Sequence, residues 1–405
     1  MTVTVLIDLD DTLLINDMDR FLPAYLKGLS GHASRRVDPA LFIQQLLLAT
    51  GQMTAKSMPL ETLEETFDRH FYPALGIERE EINAEIEDFY ARKFPELRSL
   101  TRQNPVAIEL IKEFFRRGWQ VVIATNPVFP RTAILQRLEW AGLPVDHFPF
   151  NLIPSFEKMH FAKPHPAYFA ELLGQIGWPD GLAVMIGNSL SDDIQPANRL
   201  GLPVFHLTDI AENNDLPPYC AAGGLDQTIP WIESLLAQDI PPFAATPEAW
   251  LAVLGATPAA LQTRTRWFVR TEWNASPAPG EWNPVQILCH LRDVDAEVNL
   301  PRIRRILTED SPQLTGIDTD GWAESRHYAE QSGPDATDAF MQGRMEMLRQ
   351  LVELSNSDWL RACRHTIFSR TTLAELVSFM ATHDRSHLQQ LCRAVECHQS
   401  PGVSD

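Results

Sequence analysis

Apolar positions follow two different rhythms along this chain. Over residues 3–236, short apolar runs rich in β-branched residues alternate with longer stretches of helical period. The runs at 3–7, 120–124, 148–153, 182–186 and 203–206 read as buried strands. Residues 106–117, 131–141, 167–177 and 191–200 read as the helices between them. This alternation predicts an α/β domain, a parallel sheet covered by helices on both faces. Residues 17–105 break the rhythm. There, 21–29, 39–50, 59–71 and 81–94 are amphipathic, and no strand is evident. An insertion after the first strand hangs over the sheet edge where that strand ends, so it is expected to form a helical cap.

Residues 239–247 are Pro-rich and aperiodic, as a linker would be. Beyond them the pattern reads as helical throughout. Asn283 and Pro284 make a good helix start, an N-cap followed by proline in the first turn, and that helix runs to about Leu307. Others are expected at 336–355 and 371–397, with a less regular one at 247–270, so an all-α four-helix bundle is predicted. The expected layout is an α/β domain at 1–238 with its cap at 17–105, a linker at 239–246, a bundle at 247–398 and a tail at 399–405.

Composition narrows the function classes. Hydrophobic residues make up 44% of the 405, and no apolar run approaches the roughly 18 residues of a membrane span. The chain begins directly with a strand pattern, so no secretory signal is expected. Lys plus Arg number 34 against 53 Asp plus Glu, a net charge of −19 that repels nucleic acid and anionic lipid. Cys220, Cys289, Cys363, Cys392 and Cys397 form no CxxC pair. They read as free thiols of a reducing cytoplasm. Nothing in the pattern sets an oligomeric state.

Against this background the first strand stands out. It runs straight into Asp8, Asp10 and Asp11. Buried parallel strands deliver such groups to the carboxyl edge of the sheet, where open α/β folds bind ligands. Carboxylates packed together repel, and need a cation or a chemical role. Thr125 and Asn126 follow the second strand, where a hydroxyl and the next backbone N–H can hold phosphoryl oxygens. Lys163, fixed just before Pro164, can aim an ammonium inward. After the 182–186 strand come Gly187, Asn188, Asp192 and Asp193, a tight turn with oxygen donors suited to Mg²⁺.

In this order the segments resemble the four motifs of the haloacid dehalogenase superfamily, over residues 1 to about 236. The resemblance implies a Rossmann-like sheet and a covalent aspartyl intermediate. It makes Asp8 the nucleophile and Asp10 the general acid/base, with the Asp10 backbone carbonyl also on Mg²⁺. Thr125 and Lys163 become the phosphate-orienting pair. An Asp two residues after the nucleophile is the pattern of the phosphatase branches, and the long insertion is similar to the helical cap of the phosphoglycolate-phosphatase-like group. A small phosphate ester is the implied substrate. One position departs: the family places an acid after Gly187, and this chain has Asn188, with Asp192 and Asp193 available to compensate.

In the second half, His383 and His387 share a helical face. Phe379 and Leu391 extend their row, which predicts that this face points into the bundle. With His290 on another helix, three imidazoles could share Zn²⁺ or Ni²⁺. Trp282 before the second helix, His290 within it and the His383/His387 pair on the last resemble the DinB-like four-helix superfamily, over about 247–398. The resemblance implies a His290/His383/His387 metal triad, and some relatives use a low-molecular-weight thiol. Cys289 points about 100° from His290 and is not expected to join it; Cys392 and Cys397 read as packing residues.

The leading expectation is therefore a Mg²⁺-dependent phosphatase carrying a second metal-binding domain. Two alternatives stay open at the level of sequence. One is a metal- and thiol-dependent transferase in the bundle beside a weakened first domain; the other is a sensor or scaffold that binds without turnover.

Overall fold

A computed structural model describes residues 2–208, 217–367 and 369–396. The chain divides into two compact units, one built from residues 1–57, 61–169 and 180–242, the other from 58–60, 170–179 and 243–405.

The first unit is built on a five-stranded parallel sheet. Its strands are β1 (Val3–Ile7), β4 (Gln120–Ile123), β5 (Leu182–Gly187), β6 (Val204–Leu207) and β7 (Ala221–Gly223), in spatial order β4-β1-β5-β6-β7. Every residue of β1 is buried, as expected of a strand paired on both sides and covered on both faces. The chain crosses from β4 on one side of β1 to β5 on the other. That reversal opens a crevice at the carboxyl ends of these strands.

One expectation is corrected here, and one strand is added. Residues 148–153 do not form a strand; only Leu152 bridges to Val122. Pro149 removes a backbone donor within the run and Pro154 ends it, so pairing stops at Asn151 N–H to Val121 O and Ile123 N–H to Leu152 O. The three-residue β7 was not anticipated, because Ala-Ala-Gly carries no apolar alternation.

The insertion is mainly helical, with long helices Met18–Ala33, Pro39–Ala55 and Leu63–Leu75. It is also closed by a ribbon the pattern did not predict: β2 (Leu14–Asn16) pairs antiparallel with β3 (Thr101–Gln103). Thr-Arg-Gln is too short and polar to signal a strand. Thr62 caps the third helix reciprocally with Glu65, and Gly76 ends it in the left-handed region.

In the second unit the main helices are Pro247–Thr265, Pro284–Val294, Gly333–Val352 and Leu373–Glu396. The second continues through a wide turn at Asp295–Asn299 into Leu300–Thr308. Asn283 caps it: its Oδ1 accepts from Gln286 N at 2.9 Å, while Gln286 Oε1 accepts from Asn283 N at 3.0 Å. This unit is not helical throughout. A small sheet of β8 (Gln313–Leu314), β9 (Ala362–His365) and β10 (Ser369–Thr372) joins the helices. Its mostly polar strands gave no apolar signal. Among the described residues, no helix is long and apolar enough to cross a membrane.

At the centre of the bundle lies the fully buried Arg344. It donates to Asp295 Oδ2 at 2.7 Å, to the Leu254 carbonyl at 2.9 Å and to both oxygens of Asp384. One guanidinium thus ties four helical segments together. Burial alone would lower its pKa, but the two carboxylates outweigh it and hold it above its ordinary value.

Candidate active site and metal centre

Asp8 continues β1 past its last pair, donating its N–H to Ile186 O at 3.0 Å, while Ala124 N–H donates to Ile7 O at 2.7 Å. The sheet itself therefore brings Asp8, Thr125 and the Gly187 turn to one edge. Lys163 enters from the loop before the helix Pro166–Gln175, and Tyr168 in that helix donates to Thr125 O at 2.6 Å.

Lys163, Asp8 and Asp193 form one buried cluster. The ammonium donates to Asp8 Oδ1 at 2.7 Å and to Asp193 Oδ1. Burial pulls the Lys163 pKa down, yet the two acids more than compensate and keep it charged. Asp193 is pushed up, by burial first and by the charge on Asp8 second, against the pull of Lys163. Its other oxygen accepts from Ser189 N–H at 3.0 Å. A Cβ on Gly187 would sit 2.4 Å from Asp193 Oδ2, so glycine is what lets this carboxylate reach the cluster.

The remaining sequence-predicted residues take different positions. Asp10 faces Asn16, whose Nδ2 donates at 3.1 Å, and the buried Arg137. Burial raises the Asp10 pKa, Arg137 opposes the rise, and Asp8 adds to it. Thr125 is buried, and the Asn126 side-chain oxygen is buried without a partner. Asn188 Oδ1 accepts from Thr12 at 3.4 Å. Asp192 belongs to the turn Leu190–Ile194 that Ser189 caps, its N–H donating to Ser189 Oγ at 3.1 Å, while the Lys163 partner is Asp193.

Arg137 is the residue that sequence reasoning missed. It shares one face of the helix Arg131–Trp140 with buried Ala133, Ile134 and Trp140. A lone charge on such an apolar face needs a buried partner, and that was the available signal. Its guanidinium also lies over the rings of Phe21 and Phe129.

Phe129 borders a cavity of about 520 Å³. Tyr25, Phe42, Phe67 and Phe71 from the cap line it, together with Val128 of the Asn126 loop. Met18, Leu22 and Leu47, also on its lining, are exposed.

In the second unit His290, His383 and His387 converge, their ligand atoms within 4.8 Å of one another. His383 Nε2 lies 3.2 Å from His290 Nε2 and 3.1 Å from His387 Nε2. Burial lowers all three pKa values, to about 3 for His290 and His383, so the rings are neutral. Three neutral imidazoles pointing one nitrogen each at a common point cannot satisfy one another with single N–H donors; a shared cation can. Gln390 fixes His387 through Nδ1 at 2.9 Å, and Trp282 stacks parallel to the His387 ring.

The shared row holds only in part. Leu391 is buried, but Phe379 is 54% exposed, because its part of the helix faces an open cavity instead of packed core. Cys289 is buried and donates to Gln331 at 3.4 Å. Cys392 is buried; Cys397 and residues 399–405 lie outside the described residues.

Residues 2–201 match the haloacid dehalogenase-like hydrolase family, and residues 254–391 match the DinB superfamily. The first domain is a haloacid dehalogenase-like hydrolase; the second is a DinB domain. Among solved structures, a HAD phosphatase from Thermococcus onnurineus is 20% identical over 60% of this chain and 100% of its own, with a TM-score of 0.36. A 2-haloacid dehalogenase from Pseudomonas syringae is 19% identical over 58% of this chain and 99% of its own, with a TM-score of 0.41. YfiT from Bacillus subtilis, with an unusual four-helix bundle topology, is 18% identical over 39% of this chain and 90% of its own, at a TM-score of 0.35. No curated protein matches the chain. The hydrolase domain holds the Asp8 cluster and the DinB domain holds the histidines.

Proposed function

We propose that the hydrolase domain is a Mg²⁺-dependent phosphomonoesterase acting through a phosphoryl group on Asp8. The observation that carries this reading is the buried Lys163 ammonium on Asp8 and Asp193, at the sheet edge where Thr125 also emerges. Such a cation lowers the cost of bringing a phosphate dianion against a carboxylate.

The donors available for Mg²⁺ are all oxygens, as a hard cation requires. Lys163 takes Asp8 Oδ1 and leaves Oδ2 for the ion, with the Asp10 carbonyl, Asn188 and Asp193 completing the candidate set. Bound there, the ion would offset negative charge on the phosphoryl oxygens. Thr125, the backbone N–H of Asn126 and Lys163 orient the phosphoryl group. Asp8 attacks phosphorus as the ester P–O bond breaks, and Asp10 donates its proton to the departing alkoxide. Asp10, now a carboxylate, then takes a proton from water as that water attacks phosphorus, which frees Asp8 and releases inorganic phosphate. The raised pKa of Asp10 suits a group that must begin protonated.

The cap cavity supports a substrate with an apolar body. Its volume lies within the range of small-molecule sites, and its walls are largely aromatic and aliphatic. The four described cysteines are unbonded, in keeping with the cytoplasmic location we propose.

For the DinB domain we propose a Zn²⁺ or Ni²⁺ ion on His290, His383 and His387. Among the described residues no cysteine lines the adjoining cavity, so thiol chemistry on those residues would need an external thiol.

The test is phosphate release from aryl and alkyl phosphates with and without Mg²⁺. Asp8→Asn should abolish turnover while leaving the fold intact, and turnover surviving that change refutes the nucleophile.

A further inference from the structure

Beside the histidines, the DinB domain holds a cation that none of its described residues neutralises. His290, His383, His387 and Arg302 line a common cavity of about 420 Å³. Arg302 is half-buried, and its Nη2 donates to the Thr315 carbonyl at 2.8 Å. Among the described residues it meets no carboxylate.

Its neighbours are treated differently. Arg326 bonds Glu297 and Asp293, Arg292 bonds Asp293, and Arg344 bonds Asp295 and Asp384; each is raised above its ordinary pKa by those acids. Burial lowers Arg302, and only the buried thiol of Cys363 opposes it. Asp320, the acid on the same lining, is exposed and forms no ion pair with Arg302. A guanidinium drawn out of water without a counter-ion costs folding energy, and an anionic ligand would offset that cost.

A second donor lies close by. His365 Nδ1 accepts from Ile367 N–H at 3.1 Å, so the neutral ring carries its proton on Nε2. Burial first, and the Arg302 charge second, lower the pKa of that ring. Ile317, Ile367 and Phe379, all on the lining, leave apolar surface exposed. The cavity thus offers a planar cationic fork with hydrocarbon beside it.

We propose that this cavity binds a small organic carboxylate, its anionic end on Arg302 and its apolar body against Ile367 and Phe379. Guanidinium and carboxylate match as a two-bond pair, and the volume is that of a small-molecule site. The inference does not depend on phosphatase activity in the other domain.

The test uses full-length protein as purified, with its metal content measured. Benzoate, 3-phenylpropanoate and 4-phenylbutanoate are titrated beside their primary amides by ligand-observed NMR. At least one acid should bind about tenfold more tightly than its amide, the margin of one charge-assisted pair. Arg302→Met should cut that acid-to-amide ratio about tenfold at unchanged metal content, and Arg302→Lys should restore part of it. Binding in the cap cavity would not respond to Arg302. Failure of every acid to bind, equal binding of acid and amide, or an unchanged ratio in Arg302→Met would each overturn the proposal.

Discussion

The Lys163 ammonium lies 2.7 Å from Asp8 Oδ1, both groups withdrawn from solvent and 155 positions apart in the chain. Asp193 shares the same ammonium. Replacing Lys163 with Met would leave two buried carboxylates facing one another. We expect a stability loss of about 3–5 kcal/mol in urea unfolding, together with at least a hundredfold fall in kcat. Asp8→Asn should recover part of the lost stability in the Lys163→Met background, and none of the turnover.

Asn188 supplies an amide where the resemblance leads one to expect an acid. Asn188→Asp adds a negative donor and should lower the Mg²⁺ concentration giving half-maximal phosphate release by about tenfold, which is ~1.4 kcal/mol. A chelator should silence both forms. Equal Mg²⁺ dependence would remove Asn188 from the metal site.

A substrate body held in the cap cavity predicts a gradient across substrates. A buried methylene contributes about 0.8 kcal/mol, close to a fourfold gain, so kcat/KM should climb along a series from ethyl to hexyl phosphate. Leu22→Glu, at the exposed rim, should flatten that slope while sparing the smallest ester. A flat series for the unaltered protein would contradict the apolar-body reading.

The histidine centre makes a prediction about pH. In metal-free protein His290 and His383 are held at about 3, whereas an unfolded histidine titrates near ~6.5. Above pH ~6.5 the rings are neutral in both states, and the contribution to stability does not change. Below it the unfolded chain takes up protons that the folded rings refuse, so stability falls as the pH drops toward 3. Chemical unfolding at stepped pH should show this loss, and His290→Asn with His383→Asn should reduce its slope.

Arg344 is a structural test of the DinB domain. Arg344→Met strands Asp295 and Asp384 in the bundle core and should cost about 3–5 kcal/mol. Because Asp384 adjoins His383, the same change should weaken metal binding at the triad, read by competition with a chromogenic chelator.

What could be read from the sequence follows from where the physics is local. β1 and β5 announce themselves because strands buried on both faces are apolar along nearly their whole length. Asn283 and Pro284 mark a helix start through backbone chemistry confined to one turn. Asp8, Lys163 and Asp193 were legible because each follows a strand or precedes a proline in a fixed order. Arg137 was legible only by half: a lone charge on an apolar helix face asks for a buried partner, but nothing local says that the partner is Asp10, 127 positions away. The β9–β10 hairpin escaped for a related reason: its residues are polar, and tertiary pairing, not periodicity, makes them strands. Phe379 shows the limit of a helical row, which fixes the face but not what covers it.

The central claim is that Asp8 carries the phosphoryl group during turnover. Acid-quenching the protein during hydrolysis of an aryl phosphate, followed by peptide mass spectrometry, tests it directly. A phosphoryl mass increment on the Asp8 carboxylate, lost in Asp8→Asn, is the predicted result. Steady phosphate release with an unmodified Asp8 peptide, undiminished in Asp8→Asn, would contradict it.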